Sequence, residues 1–172
     1  QKPKAVLLFT VCLHHFLGSD LERIYDELGK RFPEICFVRC FMDPIMRKSG
    51  LTPDQKLRLS MYDPLKKGTV TEEGQRRISI LGSDFALDET SDLKRLLRCN
   101  DYQIKESPVC ESWEDYLSLS DCRMMLNCYP SGKAGTEWAA ERLGRPFMYM
   151  PSCFGYDEII GQLEALSESM EL

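Results

Sequence analysis

Two features that the sequence lacks narrow what the protein can be. No apolar run approaches the roughly 18 residues needed to span a bilayer, and no signal peptide is visible, so no membrane association is predicted. Basic residues are in deficit, because 22 lysines and arginines stand against 27 aspartates and glutamates and give a net charge of −5. Nucleic acids and anionic membranes bind to basic surfaces, so neither is an expected partner.

Motifs for zinc and for disulfide scaffolds are also missing, although cysteine itself is abundant. The eight cysteines include no Cys-x-x-Cys pair, and histidine occurs only twice, so no Cys/His set has zinc spacing. Cys36, Cys40 and Cys122 lie inside apolar runs rather than in loops. We therefore predict a reducing, cytoplasmic compartment in which most of the thiols are small buried hydrophobes.

The chain is long enough to fold without such supports. Its 172 residues, 43% of them hydrophobic, suffice for a core that needs no metal and no disulfide. The sequence enters an apolar segment within four residues of Gln1. We expect it to be an internal fragment of a longer protein.

Strand-like and helix-like segments alternate along the chain. Apolar runs typical of strands buried on both faces are followed by amphipathic segments with capping residues, such as Ser19 with Glu22 as its capping-box partner. The predicted strands are residues 5–11, 35–42, 76–82, 102–107, 122–127 and 146–151, and the predicted helices are residues 19–29, 52–65, 90–99, 112–119, 132–144 and 156–170. This alternation predicts a parallel, doubly wound α/β fold of Rossmann-like or flavodoxin-like layers.

A polar stretch with two glycines, residues 66–76, is the predicted domain boundary. Residues 1–75 would form part of one Rossmann-like domain, and residues 76–172 would form a four-stranded flavodoxin-like domain. Two strands are too few for a stable sheet, so we expect strands from other sequence to complete the first sheet.

Two cysteines stand where ligands bind in parallel sheets, beyond the carboxyl ends of strands. Cys12 ends the first predicted strand, in VCLHHFLGSDLERI, and Cys128 ends the fifth, in LNCYPSGKAGTE. Each precedes a helix, whose amino end favours a thiolate, and thiolates hold iron–sulfur clusters. Packing in the core is nevertheless the commoner role of a cysteine at a strand end.

Three segments resemble nitrogenase component 1 proteins. VCLHHFLGSDLERI resembles the C-x-x-x-x-[IL]-G-D-D-L segment of that family, with Cys12 at the position of a cluster ligand. FVRCFM resembles its V-R-C-x-G-F strand end, where the cysteine that matches Cys40 binds no metal. LNCYPSGKAGTEWAAERLGRPFMYMP resembles its L-N-x-x-x-C-Y-R-S stretch, in which the cysteine that matches Cys128 binds the iron–sulfur substrate-reducing cofactor.

The resemblance covers nearly the whole chain and implies part of a nitrogenase-like oxidoreductase subunit with a multi-domain, nitrogenase component 1-like fold. It implies an iron–sulfur cluster with Cys12 as a ligand, and Cys128 as a ligand of a second metal centre or as part of the substrate cleft. It also implies a second component 1-like subunit and an ATP-dependent iron protein as reductase. A cubane cluster needs about four protein thiolates, so we expect the isolated chain to lack the cluster and to catalyse nothing.

The chain departs from the family's catalytic subunit at one place. FMDPIMRKSGLTPDQ stands where that subunit has a glycine-rich loop with a glutamine and a histidine facing the cofactor, and no histidine follows residue 15. A dinitrogen-reducing site is therefore not expected, and the substrate stays open.

Four further residues are weaker site candidates. His14 and His15 are expected in a solvent-facing loop, with a place beside a cluster or substrate at Cys12 as the alternative. Ser131 opens SGKAGT, which lacks the spacing of a phosphate-binding loop. Cys153, in PSCFG after the sixth strand, is placed to line the same cleft as the two leading cysteines.

Fold alone leaves two other functions open. One is a cofactor-assembly scaffold or a small-ligand or metal-binding module without catalysis. The other is a purely structural role with no metal.

Overall fold

The computed structural model describes residues 2–42 and 50–170, and strands and helices alternate along them. The strands are β1 Ala5–Val11, β2 Cys36–Met42, β3 Arg77–Ile80, β4 Gln103–Glu106, β5 Met124–Asn127 and β6 Phe147–Tyr149. The α-helices are α1 Cys12–Phe16, α2 Leu21–Arg31, α3 Pro53–Tyr62, α4 Asp92–Cys99, α5 Trp113–Leu117, α6 Lys133–Leu143 and α7 Tyr156–Met170. In this part of the chain no helix combines the length and the apolar character that crossing a membrane requires.

Every strand pair is parallel, which confirms the predicted α/β layers. β1 and β2 form one sheet, in register from Ala5 opposite Cys36 to Val11 opposite Met42. The other four strands form a second sheet in the order β4-β3-β5-β6. The domain limits predicted at residue 75 stay a prediction.

The second sheet is buried on both faces. Ile78 and Ile80 of β3 and Leu126 of β5 share one face with α4 and α7, in a core cluster that reaches Leu166. The opposite face carries Met125 and packs in a second cluster with residues of α3 and α6. Near-continuous apolar strands are the expected sequence of such a two-sided sheet.

The strand order locates a crevice at the carboxyl edge of this sheet. The chain winds from β3 outward to β4 and from β5 outward to β6, so its direction reverses between β3 and β5. Ligands of open α/β sheets bind at such a switch point. The loops that follow β3 and β5 meet there, and Cys128 lies in the second of them.

The predicted caps are partly confirmed. Thr52 caps α3 and forms a capping box with Gln55. The cap predicted at Ser19 is wrong by one residue, because the Asp20 side chain accepts the backbone N–H of Arg23 at 3.1 Å and α2 begins at Leu21. A carboxylate one residue further on reaches the same class of unpaired N–H groups that a serine hydroxyl would have reached.

The segment after β1 differs from its prediction as a loop. Cys12–Phe16 forms a short α-helix, and the turn after it is closed by Gly18, whose φ of 64° suits glycine. Residues 43–49, which belong to the segment FMDPIMRKSGLTPDQ, lie outside the described residues.

Candidate functional site

Cys128 directly follows β5 and lies in the core rather than in an open cleft. It is 7% exposed and packs with Leu126, Met150 and Leu163. Burial raises the pKa of its thiol to about 11, and the nearby negative charge of Glu106 adds to that rise. The side chain is therefore a neutral thiol at physiological pH.

Cys128 and Cys153 line one cavity of about 280 Å³, here called the thiol cavity. Cys153 follows β6, and its sulfur lies 3.5 Å from the side-chain nitrogen of Gln162 on α7. The same nitrogen donates to the backbone oxygen of Pro151 at 3.1 Å, which fixes the loop that carries Cys153. The remaining walls are mostly apolar and include Leu87, Leu93, Ile159 and Leu163.

Cys12 lies elsewhere, at the carboxyl end of β1 in the first sheet. It opens α1, is half-buried, and is not among the residues that line the thiol cavity. Its chain neighbours Val11 and Leu13 are exposed. The structure therefore brings Cys128 to Cys153 and leaves Cys12 on a separate, apolar part of the surface.

The weaker candidates are also spread out. His14 lies in α1, where its Nδ1 accepts the backbone N–H of Val11 at 3.1 Å, and His15 is exposed in the same helix. Ser131 is exposed in the 3-10 turn Pro130–Gly132 that precedes α6. It shares the carboxyl edge with Cys128 but does not line the thiol cavity.

The two leading cysteines differ in how well they fit an iron–sulfur cluster. Within residues 2–42 and 50–170, no three His, Cys, Asp or Glu side chains are grouped so that they could hold a metal ion. Cys12, half-exposed at a strand end, fits one ligand of a cluster whose other thiolates come from elsewhere. Cys128 fits direct ligation less well, because its sulfur is covered by apolar side chains that would have to move.

A buried ion pair beside the thiol cavity was not predicted from the sequence. Lys94 of α4 and Glu106 of β4 are 1% and 4% exposed and form a salt bridge. Glu106 accepts the backbone N–H of Leu87 at 2.7 Å, and Lys94 donates to the backbone oxygen of Leu87 at 2.8 Å. The pair thereby holds one wall of the cavity. Helical spacing could have predicted that Lys94 is buried, because it lies one turn before Leu97 on the same side of α4.

The thiols should differ in reactivity in the native protein. We expect iodoacetamide at neutral pH to alkylate Cys99, which is exposed, well before Cys128. The rate at Cys128 should rise about tenfold per pH unit until its pKa of about 11 is approached, because the thiolate is the nucleophile. Mass spectrometry of peptides after timed labelling measures both rates. Equal rates at the two residues in the folded protein would contradict this assignment.

Comparisons with known proteins support the fold and leave the family open. No family model matches the chain, and no curated protein matches it by sequence. A solved chain described as "Nitrogenase Cp1 at pH 6.5" is similar with a TM-score of 0.66 and 15% identity over 97% of this chain. A second, "Nitrogenase Cp1 at pH 5", is similar with a TM-score of 0.63 and 14% identity over 98% of this chain.

This chain spans only 41% and 34% of the length of those two solved chains. At such low identity the likeness establishes architecture alone. The chain has a parallel α/β fold similar to part of those two solved chains.

Proposed function

We propose that this chain is a cytoplasmic module of a nitrogenase-like oxidoreductase subunit that takes part in iron–sulfur-dependent electron transfer. The observation that carries the proposal is the position of Cys12, half-exposed at the carboxyl end of β1, in a fold similar to that of solved nitrogenase chains. Residues 1–75 and 76–172 would belong to two successive domains of that subunit. The substrate is not assigned.

Cys12 would hold the cluster through its thiolate, and a second component 1-like subunit or another part of the same subunit would supply the remaining thiolates. A bound cluster would supply one-electron transfer, with an ATP-dependent iron protein as the electron donor. The exposed Val11 and Leu13 beside Cys12 would exclude water once a partner covers them. Cys128 and Cys153 would line a substrate or cofactor cavity, with Cys128 in its neutral form.

Iron content tests this proposal. The protein is purified anaerobically from its own host, so that partner subunits accompany it, and iron and acid-labile sulfide are measured. We expect both in the unaltered protein and in Cys99→Ala, which removes an exposed thiol on α4, and we expect their loss in Cys12→Ala. Iron absent from the unaltered protein, or unchanged in Cys12→Ala, would overturn the assignment.

The thiol cavity favours a second candidate, a scaffold or small-ligand-binding module without catalysis. Its volume of about 280 Å³ and its mostly apolar walls resemble a small ligand pocket, for which about 300–1,000 Å³ is usual. In that case the small-molecule fraction of a host extract should slow the alkylation of Cys153 and leave Cys99 unaffected. Equal rates with and without the fraction would contradict ligand binding.

A further inference from the structure

Three sulfur-containing side chains line the thiol cavity. Besides Cys128 and Cys153, the lining includes Met150, which directly follows β6. Cys128 and Met150 are 7% and 6% exposed and pack in the same core cluster. The cavity therefore offers two thiols and one thioether in mostly apolar surroundings.

The register of the second sheet places Cys128 beside Met150. Asn127 lies opposite Tyr149 in the parallel ladder of β5 and β6, and the backbone N–H of Met150 donates to the oxygen of Asn127 at 2.9 Å. Cys128 and Met150 are the next residues along the two strands, and both pack in the cluster that contains Leu126. Neighbouring strands lie about 4.8 Å apart, so side chains at such positions on one face are in contact.

Cys153 is held at the same cavity by α7. Its sulfur lies 3.5 Å from Nε2 of Gln162, which also donates to the backbone oxygen of Pro151 at 3.1 Å. A hydrogen-bond donor of this kind is a typical outer-shell partner of a metal ligand, because it fixes the orientation of the ligand. Cys153 is half-buried, so the cavity is reached from solvent at this residue.

The donor atoms indicate a soft cation. Zinc sites take three or four ligands from Cys, His, Asp and Glu, and in the part of the chain that the structure describes no three such side chains are grouped for a metal ion. Asp92, a carboxylate in the lining of the cavity, is mostly exposed and bound to Arg95 at 2.7 Å. Thiolates together with a thioether select Cu(I) among the biological cations.

We propose that the thiol cavity binds one Cu(I) ion through the sulfur atoms of Cys128, Cys153 and Met150. The ion replaces the two thiol protons, which pass to solvent, and copper stays monovalent, so no oxidant or reductant takes part. The cation balances one thiolate charge, and the other thiolate, at Cys153, accepts the N–H of Gln162. Part of the cover over Cys128 is Met150 itself, so this cover supplies a ligand.

The inference rests on the second candidate function, to whose cavity it assigns a class of ligand. It requires nothing of Cys12, because all three sulfur atoms belong to the lining of the thiol cavity and Cys12 does not. Cys128 is a neutral thiol in the metal-free cavity and gives up its proton only when the ion binds.

Anaerobic titration with Cu(I) tests the site. The chain competes for the ion with bicinchoninate, whose copper complex is coloured, so the loss of colour counts the ions that the chain takes up. We expect one tightly bound ion, an affinity lower by about a hundredfold in Cys153→Ser and by about tenfold in Met150→Leu. X-ray absorption of the loaded chain should show three sulfur neighbours. Cys99→Ser is the matched control, because it removes an exposed thiol outside the cavity and should leave the affinity unchanged.

The two variants are chosen to spare the fold, which circular dichroism verifies. Cys153 is half-buried, and leucine nearly conserves the volume of Met150. A measurement on the unaltered chain stands beside them, since Cu(I) should slow the alkylation of Cys153 by iodoacetamide and leave Cys99 unaffected.

A chain that takes no Cu(I) from bicinchoninate would overturn the proposal. Binding that Cys153→Ser leaves unchanged, or that Cys99→Ser abolishes, would overturn it as well, because the ion would then be held by thiols elsewhere. If Cu(I) fails to bind while the small-molecule fraction of a host extract still protects Cys153, copper is excluded and the second candidate function stands. Iron content is measured separately, so neither result bears on Cys12.

Discussion

Glu106→Ala is expected to lower the free energy of unfolding by about 3 kcal/mol, because it leaves the ammonium group of Lys94 buried beside a missing carboxylate. The backbone N–H of Leu87 loses its acceptor in the same variant, which adds an unsatisfied donor. Lys94 keeps two other acceptors, Glu89 and the backbone oxygen of Leu87, and for this reason the expected loss lies at the lower end for a broken buried pair.

Urea unfolding followed by circular dichroism measures this loss against two controls. Glu89→Ala removes the exposed partner of the same lysine and should change stability by less than about 1 kcal/mol. The double replacement Lys94→Met with Glu106→Leu removes both charges and should recover the part of the loss that comes from the unpaired ammonium group, while the Leu87 N–H still lacks its acceptor. Equal effects of Glu106→Ala and Glu89→Ala would show that burial does not set the strength of this pair.

The Lys94–Glu106 ion pair contributes to the stability of the fold and also contacts a wall of the thiol cavity. Lys94 and Glu106 hold Leu87, which lines the thiol cavity, and the charge of Glu106 contributes to the raised pKa of Cys128 after burial itself. Glu106 therefore has two effects at this cavity, because it helps to hold the wall at Leu87 and adds to the rise that burial causes in the pKa of Cys128.

The layered fold followed from the sequence because its strongest signals are local. Strands such as β1 and β5 are largely apolar runs, although β4 reads QIKE, and signals such as Thr52 with Gln55 mark helix starts correctly. The short helix α1 was missed because five residues, CLHHF, are too few to show a helical period. Ser19 and Asp20 are both good caps, and no local rule decides between neighbours.

Periodicity also identifies an apolar face without saying whether anything covers it. Ile159, Ile160, Leu163 and Leu166 recur along α7 at core spacing, and in the structure Leu166 is fully buried while Ile160 is 51% exposed. Whether another element covers an apolar face depends on the tertiary fold. In α7 that cover ends towards the start of the helix, where Ile160 lies.

The sequence predicted where the candidate site residues lie along the strands, but it did not predict which residues surround them. The rule that ligands lie beyond strand ends selected Cys12, Cys128 and Cys153, and all three do follow strands. Which of them share a cavity depends on how strands are ordered across two sheets, and that order is not written in local spacing. The pair Lys94–Glu106 was missed for a similar reason, since its members lie on a helix and a strand that meet only in the folded chain.

Gly132→Ala should damage the crevice at the carboxyl edge of the second sheet and lower the free energy of unfolding by about 3 kcal/mol. A Cβ at Gly132 would lie 2.2 Å from the backbone oxygen of Gly82 and 2.3 Å from its Cα. The backbone of Gly132 is itself helical, with φ −86°, so the cost comes from this contact and not from its own dihedral angles. Backbone atoms cannot rotate away as a side chain would, and the loops after β3 and β5 must separate.

Gly161→Ala is the matched control, because a Cβ there meets nothing within 4 Å inside α7. It should stabilise the protein by roughly 0.5–1 kcal/mol, the usual gain from alanine in a helix interior. Separation of the two loops should also loosen Cys128, which lies four residues before Gly132, so alkylation of Cys128 should accelerate in Gly132→Ala and not in Gly161→Ala. If urea unfolding gives the two variants the same stability, the loops after β3 and β5 do not pack through Gly82 and Gly132. In that case side chains set the distance between the two loops, and the burial of Cys128 needs another cause.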